Sequence, residues 1–184
     1  QLVKYDKKFL IIGNVNAISY KESFLLIKEN KMWLGASIHS GDREFRVPDS
    51  YPLTAAGHRI DENGVKYIRV KGVRWFTNMD YPQRHEDLIL YKRYTPEEYP
   101  HYDNYDAINV NYTNDIPCDY EGIMGVPITF LDKFSPEQFE ILGMESSAGY
   151  DPVIVGIPRL KEGDARPAIN GKTTYARIFI RKKH

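Results

Sequence analysis

The sequence predicts an α/β fold: a sheet built around a strand–helix–strand unit in the first half of the chain, followed by a mixed, mainly β region. Three observations carry this. Residues 9–12, Phe-Leu-Ile-Ile, are an uninterrupted apolar run, which is the pattern of a strand covered on both faces. A stretch of helical period and a second short apolar strand follow, the arrangement that joins parallel strands by a crossover. Beyond residue 66 the strand-like segments recur with turn signals between them.

Taken in order, Gln1 to Lys8 suits the tail of a helix, with Lys7 and Lys8 at its last turn. The apolar strand stops at Gly13 and Asn14. Ser19 with Glu22 three residues on reads as a capping box, and Phe24, Leu25 and Ile27 give the next helix an apolar stripe that ends near Asn30. Lys31 to Gly35 is a short strand. Residues 36–64 are irregular, with Gly41-Asp42, Pro48, Pro52 and Gly57, and Asn63-Gly64 marks a hairpin turn. Residues 67–78 read as one β segment, with Leu88 to Tyr91 as its antiparallel partner.

Residues 94–106 form a polar, Tyr-rich loop, and loops of that length bind something or bridge two parts. Ala107 to Val110 is strand-like, and Gly125 to Leu131 reads as a strand running through Pro127. Ser135-Pro136-Glu137 has helix-start chemistry while Phe139 to Leu142 alternates like a strand, so both readings stay open there. Asn170-Gly171 is a strong turn signal before a last strand that ends in Arg181-Lys-Lys-His184.

Composition excludes little. With 184 residues the chain has room for one domain or a domain and a half. Lys plus Arg equals Asp plus Glu at 25 each, so nucleic acid is neither announced nor excluded, because a local patch suffices. The single cysteine, Cys118, removes a disulfide framework and points to a reducing compartment. No membrane span or signal-peptide pattern is present, and a soluble, cytoplasmic protein is expected. His39, His58, His85, His101 and His184 are never at ligand spacing, so no metal site is expected. There is no phosphate-binding glycine loop, His-Glu-x-x-His or Gly-x-Ser-x-Gly.

Several constellations remain. Asn14 and Asn16 sit at the C-terminal end of the first strand, where open α/β sheets place ligands, and an amide offers both a donor and an acceptor to a base edge. Equally, asparagines tolerate a turn. Trp75 to Asn78 end another strand, followed by Asp80, Tyr81, Arg84 and His85. Aromatics stack unpaired bases and cations hold phosphates, although alternation makes one of Trp75 and Phe76 core. A second basic group is Lys172, Arg177, Arg181, Lys182 and Lys183, with Arg177 and Arg181 on one strand face. As a solvated face and frayed tail, that group needs no function.

Ten stretches in order resemble the adenine-specific DNA methyltransferases of the EcoRI type. They are Phe9 to Asn14, Asn16-Ala17, Tyr20 to Glu22, Ile27 to Asn30, Trp33 to Gly35, Phe45 to Pro48, Trp75 to Asn78, Tyr102 to Ala107, Ile116 to Tyr120 and Gly122 to Leu131. The resemblance implies a partial class I, Rossmann-like methyltransferase sheet whose last strand runs antiparallel, followed by a recognition region. The implied reaction moves a methyl group from S-adenosylmethionine to the exocyclic amine of adenine in double-stranded DNA.

That amine is a poor nucleophile, so methylation needs acceptors that localise its lone pair and an aromatic that holds the flipped base. In the family these belong to an Asn-Pro-Pro-Phe tetrapeptide just upstream of the region matched here. The sequence contains neither that tetrapeptide nor a cofactor-binding glycine motif. The resemblance thus implies a C-terminal portion, with residues 1–94 finishing the α/β domain, 95–184 forming a target-recognition region, and no catalytic residue in the chain. Asn14, Asn16, Trp75 and Asn78 become expected walls of the active site. Arg84, His85, Lys172, Arg177 and Arg181 become expected DNA contacts. A sheet cut beside its first strand also implies self-association through the exposed edge. A DNA-binding module without chemistry and a structural α+β protein are the alternatives.

Overall fold

The computed structural model describes residues 1–38, 42–54, 56–145, 151–163 and 165–183. His39 and His184, two of the histidines considered above, lie outside these residues, as does Gly41. In chain order the strands are β1 (Leu10–Asn14), β2 (Trp33–Leu34), β3 (Arg43–Arg46), β4 (His58–Ile60), β5 (Lys66–Val70), β6 (Val73–Thr77), β7 (Ile108–Asn109), β8 (Met124–Pro127), β9 (Phe139–Met144), β10 (Ala168–Ile169), β11 (Lys172–Thr173) and β12 (Arg177–Lys182). Two short helices accompany them, α1 (Lys21–Lys28) and α2 (Pro152–Val155). The result is a mixed α/β structure of several small sheets.

The first sheet has the order β1-β6-β2. β6 is antiparallel to both neighbours, so β1 and β2 are parallel to each other with β6 between them. Leu10 pairs with Thr77 at one end of the β1–β6 ladder and Asn14 with Val73 at the other. The expected burial of the Phe9–Ile12 run is overturned. Phe9 is buried, but Leu10, Ile11 and Ile12 are 50%, 44% and 47% exposed, because β1 pairs on one side only. The buried strand of this sheet is β6, with Val73, Arg74, Phe76 and Thr77 inside.

Local chemistry accounts for the neighbouring elements. The opening residues form a 3₁₀ turn, Val3–Tyr5, instead of the tail of a longer helix. The capping box does not form either. A 3₁₀ turn, Val15–Ser19, runs on from β1, the Ser19 hydroxyl donates to the Asn16 carbonyl at 2.7 Å, and Tyr20 precedes the helix. The apolar stripe of α1 does bury Phe24 and Ile27.

The single β segment expected over residues 67–78 breaks at Lys71-Gly72, where Gly72 takes a left-handed φ of 66°. β5 therefore joins a separate sheet, β3-β5-β4. Its β4–β5 turn lies at Asn63-Gly64 as expected, tied by the Asp61 carboxylate, which accepts from the backbone N–H groups of Asn63 and Val65 at 2.9 Å each. Leu88 to Tyr91 is not a strand, since both edges of β6 are already taken by β1 and β2. It is an extended strap held by Gln138, whose side chain accepts from Leu88 N–H and donates to the Leu88 carbonyl.

The second half forms a sheet of order β7-β8-β12-β9, in which only the β7–β8 pair is parallel. Residues 139–144 resolve as strand. The strand expected over 125–131 stops at Pro127, and Ile128–Lys133 winds into a 3₁₀ helix. The main core joins Ile18, Phe24, Leu34 and Phe76 to Val126, Phe130, Ile178 and Ile180. A second cluster sets Tyr102 and Tyr105 against Phe179, so β12 is buried on both faces. Much of the Tyr-rich loop is thus packing material. Tyr99, Tyr102 and Tyr105 are buried with their hydroxyls donating to the Asp115 carbonyl, Asn109 Oδ1 and the Ala165 carbonyl. Burial pushes the Tyr102 hydroxyl well above the usual phenol range.

Two glycines let α2 approach β9. A Cβ on Gly143 would lie 1.8 Å from the Val155 carbonyl oxygen, and one on Gly156 the same distance from that of Leu142. Gly143→Ala must displace backbone, and we expect it to lower stability by roughly 3 kcal/mol in urea denaturation. Gly171→Ala, where nothing lies within 4 Å but φ is 75°, should lose only about 1 kcal/mol. Equal losses would contradict this packing.

Candidate functional site

The residues singled out from the sequence occupy three separate environments. Asn14 closes the C-terminal end of β1. Its Oδ1 accepts from Asn16 N–H at 3.0 Å and its Nδ2 donates to the Lys71 carbonyl at 2.8 Å, while Val15 N–H donates to the Gly72 carbonyl at 2.7 Å. The amide of Asn14 is therefore engaged in joining β1 to the β5–β6 junction, and the Asn16 side chain beside it is exposed. Trp75 stands opposite Ile12, in the middle of the ladder. Asn78 lies at the far end, accepting from Phe9 N–H and donating to the Lys7 carbonyl, both at 2.9 Å. At ~3.4 Å per strand residue, Asn14 and Asn78 are separated by more than 10 Å.

The segment after β6 forms a second environment. Arg84 is buried, its guanidinium carbon 3.8 Å from the centre of the Trp33 ring, and it donates to Asn30 Oδ1. Burial lowers its pKa and the nearby Asp80 carboxylate opposes that shift. His85 is gripped at both ring nitrogens, Nδ1 2.9 Å from Glu137 and Nε2 2.8 Å from Asp80. Two carboxylates facing two nitrogens require both to be donors, which is the imidazolium form. Tyr81 anchors the segment by donating to the Leu34 carbonyl at 2.6 Å. A cleft of about 480 Å³ opens beside the strap, walled by Leu88, Ile89, Tyr91, Leu131 and Phe134. It does not include Asn14 or Asn16.

The third environment holds the C-terminal cations. Arg177 and Arg181 share a strand face by parity, yet Arg177 is buried, its Nε donating to Asn109 Oδ1 at 3.1 Å. Arg181 is exposed and pairs with Glu140 at 2.8 Å. Lys172 stands at the β10–β11 hairpin, whose Asn170-Gly171 turn forms as expected, with the Asp103 carboxylate accepting from both backbone N–H groups. Lys182 and Lys183 donate to the carbonyls of Cys118 and Pro136.

Sequence reading missed the partners that fix these groups. Trp33 and Glu137 are about fifty positions from Arg84 and His85, with no local signal to announce them. It also passed over Arg59, whose guanidinium sits 4.2 Å from the Tyr67 ring centre and grips both oxygens of Glu44 at 2.8 and 2.5 Å. The hairpin marked by Asn63-Gly64 was the available signal for that pairing.

The His85 clasp has a defined pH window. Hydrogen bonds to Asp80 and Glu137 raise the His85 pKa, and that to His85 lowers those of Asp80 and Glu137. A raised imidazole stabilises below its unfolded pKa and loses that contribution as pH rises through the folded value. The lowered carboxylates stabilise above their unfolded range and lose it on acidification. The melting-temperature difference between the protein and His85→Gln should therefore be largest at mildly acidic pH and shrink in both directions. A difference independent of pH would contradict the clasp.

Residues 1–183 match the family described as adenine-specific methyltransferase EcoRI. The chain is 53% identical over 185 residues to the type II methyltransferase M.EcoRI of Escherichia coli, a match covering all of this chain and 52% of that protein. It is 35% identical to M.MgeORF184P of Mycoplasma genitalium and 34% identical to M.MpnI of Mycoplasma pneumoniae, both type II methyltransferases, covering 99% of this chain and 59% of each. The chain thus spans about half the length of the curated relatives it matches. No solved structure matches it. A family match over nearly every residue, together with identity above one half to one relative, establishes that the chain belongs to the EcoRI family of adenine-specific methyltransferases.

Proposed function

We propose that this chain is the C-terminal portion of a type II DNA methyltransferase that transfers the methyl group of S-adenosylmethionine to the exocyclic amine of adenine, and that its share of the work is sheet completion and DNA contact. The observation that carries this is β1. A strand composed for burial on both faces lies at a sheet edge with three apolar side chains about half exposed, in a chain half the length of its relatives. Covering what remains exposed of these side chains would contribute roughly 1 kcal/mol each. The occupant we assign to that edge is a strand from the part of the relatives that this chain does not match. Left uncovered, the same edge favours self-association.

Other features fit the reading. β6 is the last strand of its sheet in sequence and is antiparallel to both neighbours, as a class I, Rossmann-like sheet requires of its last strand. Residues 1–94 would finish that domain and 95–184 would serve target recognition in a cytoplasmic enzyme. No helix among the described residues is long and apolar enough to cross a membrane. Asn14 and Asn16 stand at the end of the ladder that would face the target base, Trp75 lies at its middle, and Asn78 braces the opposite end. Exposed Lys172 and Arg181 are better placed for phosphate than Arg84 and Arg177, which are committed internally. His85 stays a DNA-contact candidate, between Arg84 and Glu86, which do line the cleft.

The residues present do not fit the cofactor by themselves. The Asn14 amide is spent on turn bonds, and the 480 Å³ cleft lies along the strap, apart from Asn14 and Asn16. We therefore assign S-adenosylmethionine and the groups that activate the amine to the unmatched part of the protein. Incubated with duplex DNA and tritiated S-adenosylmethionine, the chain alone should transfer no label. Mixed with the half of M.EcoRI that it does not match, it should label adenine. Transfer by the chain alone would contradict the division of labour, and DNA retention without transfer in the mixture would favour the non-catalytic binding module.

A further inference from the structure

Consecutive residues of the Tyr-rich loop clamp the β10–β11 hairpin to the second half of the chain. The Asp103 carboxylate accepts from the N–H groups of Asn170 and Gly171 at 3.2 and 2.7 Å. Asn104 accepts from Ala168 N–H at 3.0 Å and donates to the Arg166 carbonyl at 2.8 Å, and the Tyr105 hydroxyl donates to the Ala165 carbonyl. Asp103 N–H also donates to the Ala168 carbonyl, so the outer edge of β10 is filled and β11 is the free edge of the ribbon. The register fixes which face is outward. Ile169 packs against the cluster of Tyr102, Tyr105 and Phe179, so the face on which it lies is turned to the body. Ala168 and its partner Thr173 therefore lie on the other face. Thr174 is held by the Pro167 carbonyl, to which both its N–H and its hydroxyl donate, and Tyr175 beyond it is 88% exposed. Lys172 is exposed beside the turn.

A two-stranded ribbon is one of the few elements that the major groove of duplex DNA admits. The side chains this ribbon presents suit that place. Residues 165–176 include Arg166 and Lys172 and no Asp or Glu. The carboxylate bonded to the ribbon, Asp103, is turned into the N–H groups of the turn. The side-chain hydroxyls of Thr173 and Tyr175 have no partner among the described residues, and each can donate and accept, as the edge of a base requires. Because the N–H and carbonyl of Ala168 point to Asn104 and Asp103, those of its partner Thr173 point outward from the free edge and add a backbone donor and acceptor. We propose that this ribbon enters the major groove of the DNA duplex, with Thr173 and Tyr175 against base edges and Lys172 opposite a phosphate. The inference rests on the reading of this chain as a DNA-contacting part of a methyltransferase, and it names the residues that read the sequence. The clamp serves this role because a ribbon already held in one geometry gives up little conformational freedom on binding.

A pool of short fluorescein-labelled duplexes with a randomised core tests this, with binding to the chain followed by anisotropy between about 50 and 200 mM salt and the retained duplexes sequenced. Lys172→Ala should weaken binding to all duplexes alike, severalfold, and reduce the slope of log affinity against log salt by about 0.9, the loss expected for one phosphate contact. Thr173→Val and Tyr175→Phe, which remove only a hydroxyl, should keep the slope and the melting temperature while each relaxes the preference at one base pair by about tenfold. If the unsubstituted chain binds with a steep salt dependence and none of the three changes slope or preference, the ribbon is not the contact and the functional reading stands. If Lys172→Ala acts and the hydroxyl variants do not, the ribbon lies on the phosphate backbone and its entry into the groove is overturned. If all three weaken binding together with a fall in melting temperature, the effect is on folding and the inference is overturned. If the unsubstituted chain does not bind at the lowest salt, DNA contact by this half fails along with the inference.

Discussion

The pairing of β1 with β6 on one side, and with no other strand among the described residues, is the constraint on which the rest of the structure depends. The ladder from Leu10–Thr77 to Asn14–Val73 holds the start of the chain against residues 59 to 67 positions away. Its two ends are tied by side chains that the backbone cannot replace. At one end Asn78 and Thr77 satisfy the N–H and carbonyl of Phe9, which is buried as the anchor of an otherwise exposed strand. At the other, Asn14 reaches the Lys71 carbonyl and sets the point from which the β3-β5-β4 sheet departs. Because β6 has both edges paired, it carries most of the buried side chains of the sheet, and the strap after it must find its hydrogen bonds elsewhere. It finds them in the side chain of Gln138.

The second half meets a different demand. β12 is covered on both faces, by the main core under Ile178 and Ile180 and by the tyrosine cluster over Phe179. Burying tyrosines there requires a partner for each hydroxyl, and Tyr99, Tyr102 and Tyr105 each find one. The same arrangement takes Arg177 inside, where Asn109 and backbone carbonyls surround it in place of a carboxylate. Residues of both halves share one core, so the two halves of the chain support each other mechanically.

What was legible in the sequence was what short-range chemistry determines. Asn63-Gly64 and Asn170-Gly171 form their turns because the left-handed backbone they require is a property of those residues alone. The stripe of α1 buries Phe24 and Ile27 for the same local reason. What was not legible depends on distant partners. The Tyr-rich loop has the composition of an exposed loop, and only β12 draws it inside. Arg84 and His85 look free until Trp33, Asn30 and Glu137 arrive around them. The Phe-Leu-Ile-Ile run is a third kind of case. Its composition describes burial against a neighbour that the described residues do not supply, at the edge proposed above for a strand of the longer relatives.

The central claim is that β1 is an interior strand with one side open. Hydrogen exchange of the Leu10–Asn14 amides tests it most directly, measured on the chain alone and in the presence of the half of M.EcoRI that it does not match. The amides of β1 that point away from β6 should exchange fast in the chain alone and become protected in the mixture, while β6 is protected in both. Protection of the whole of β1 in the dilute chain alone, unchanged by the added half, would contradict the account.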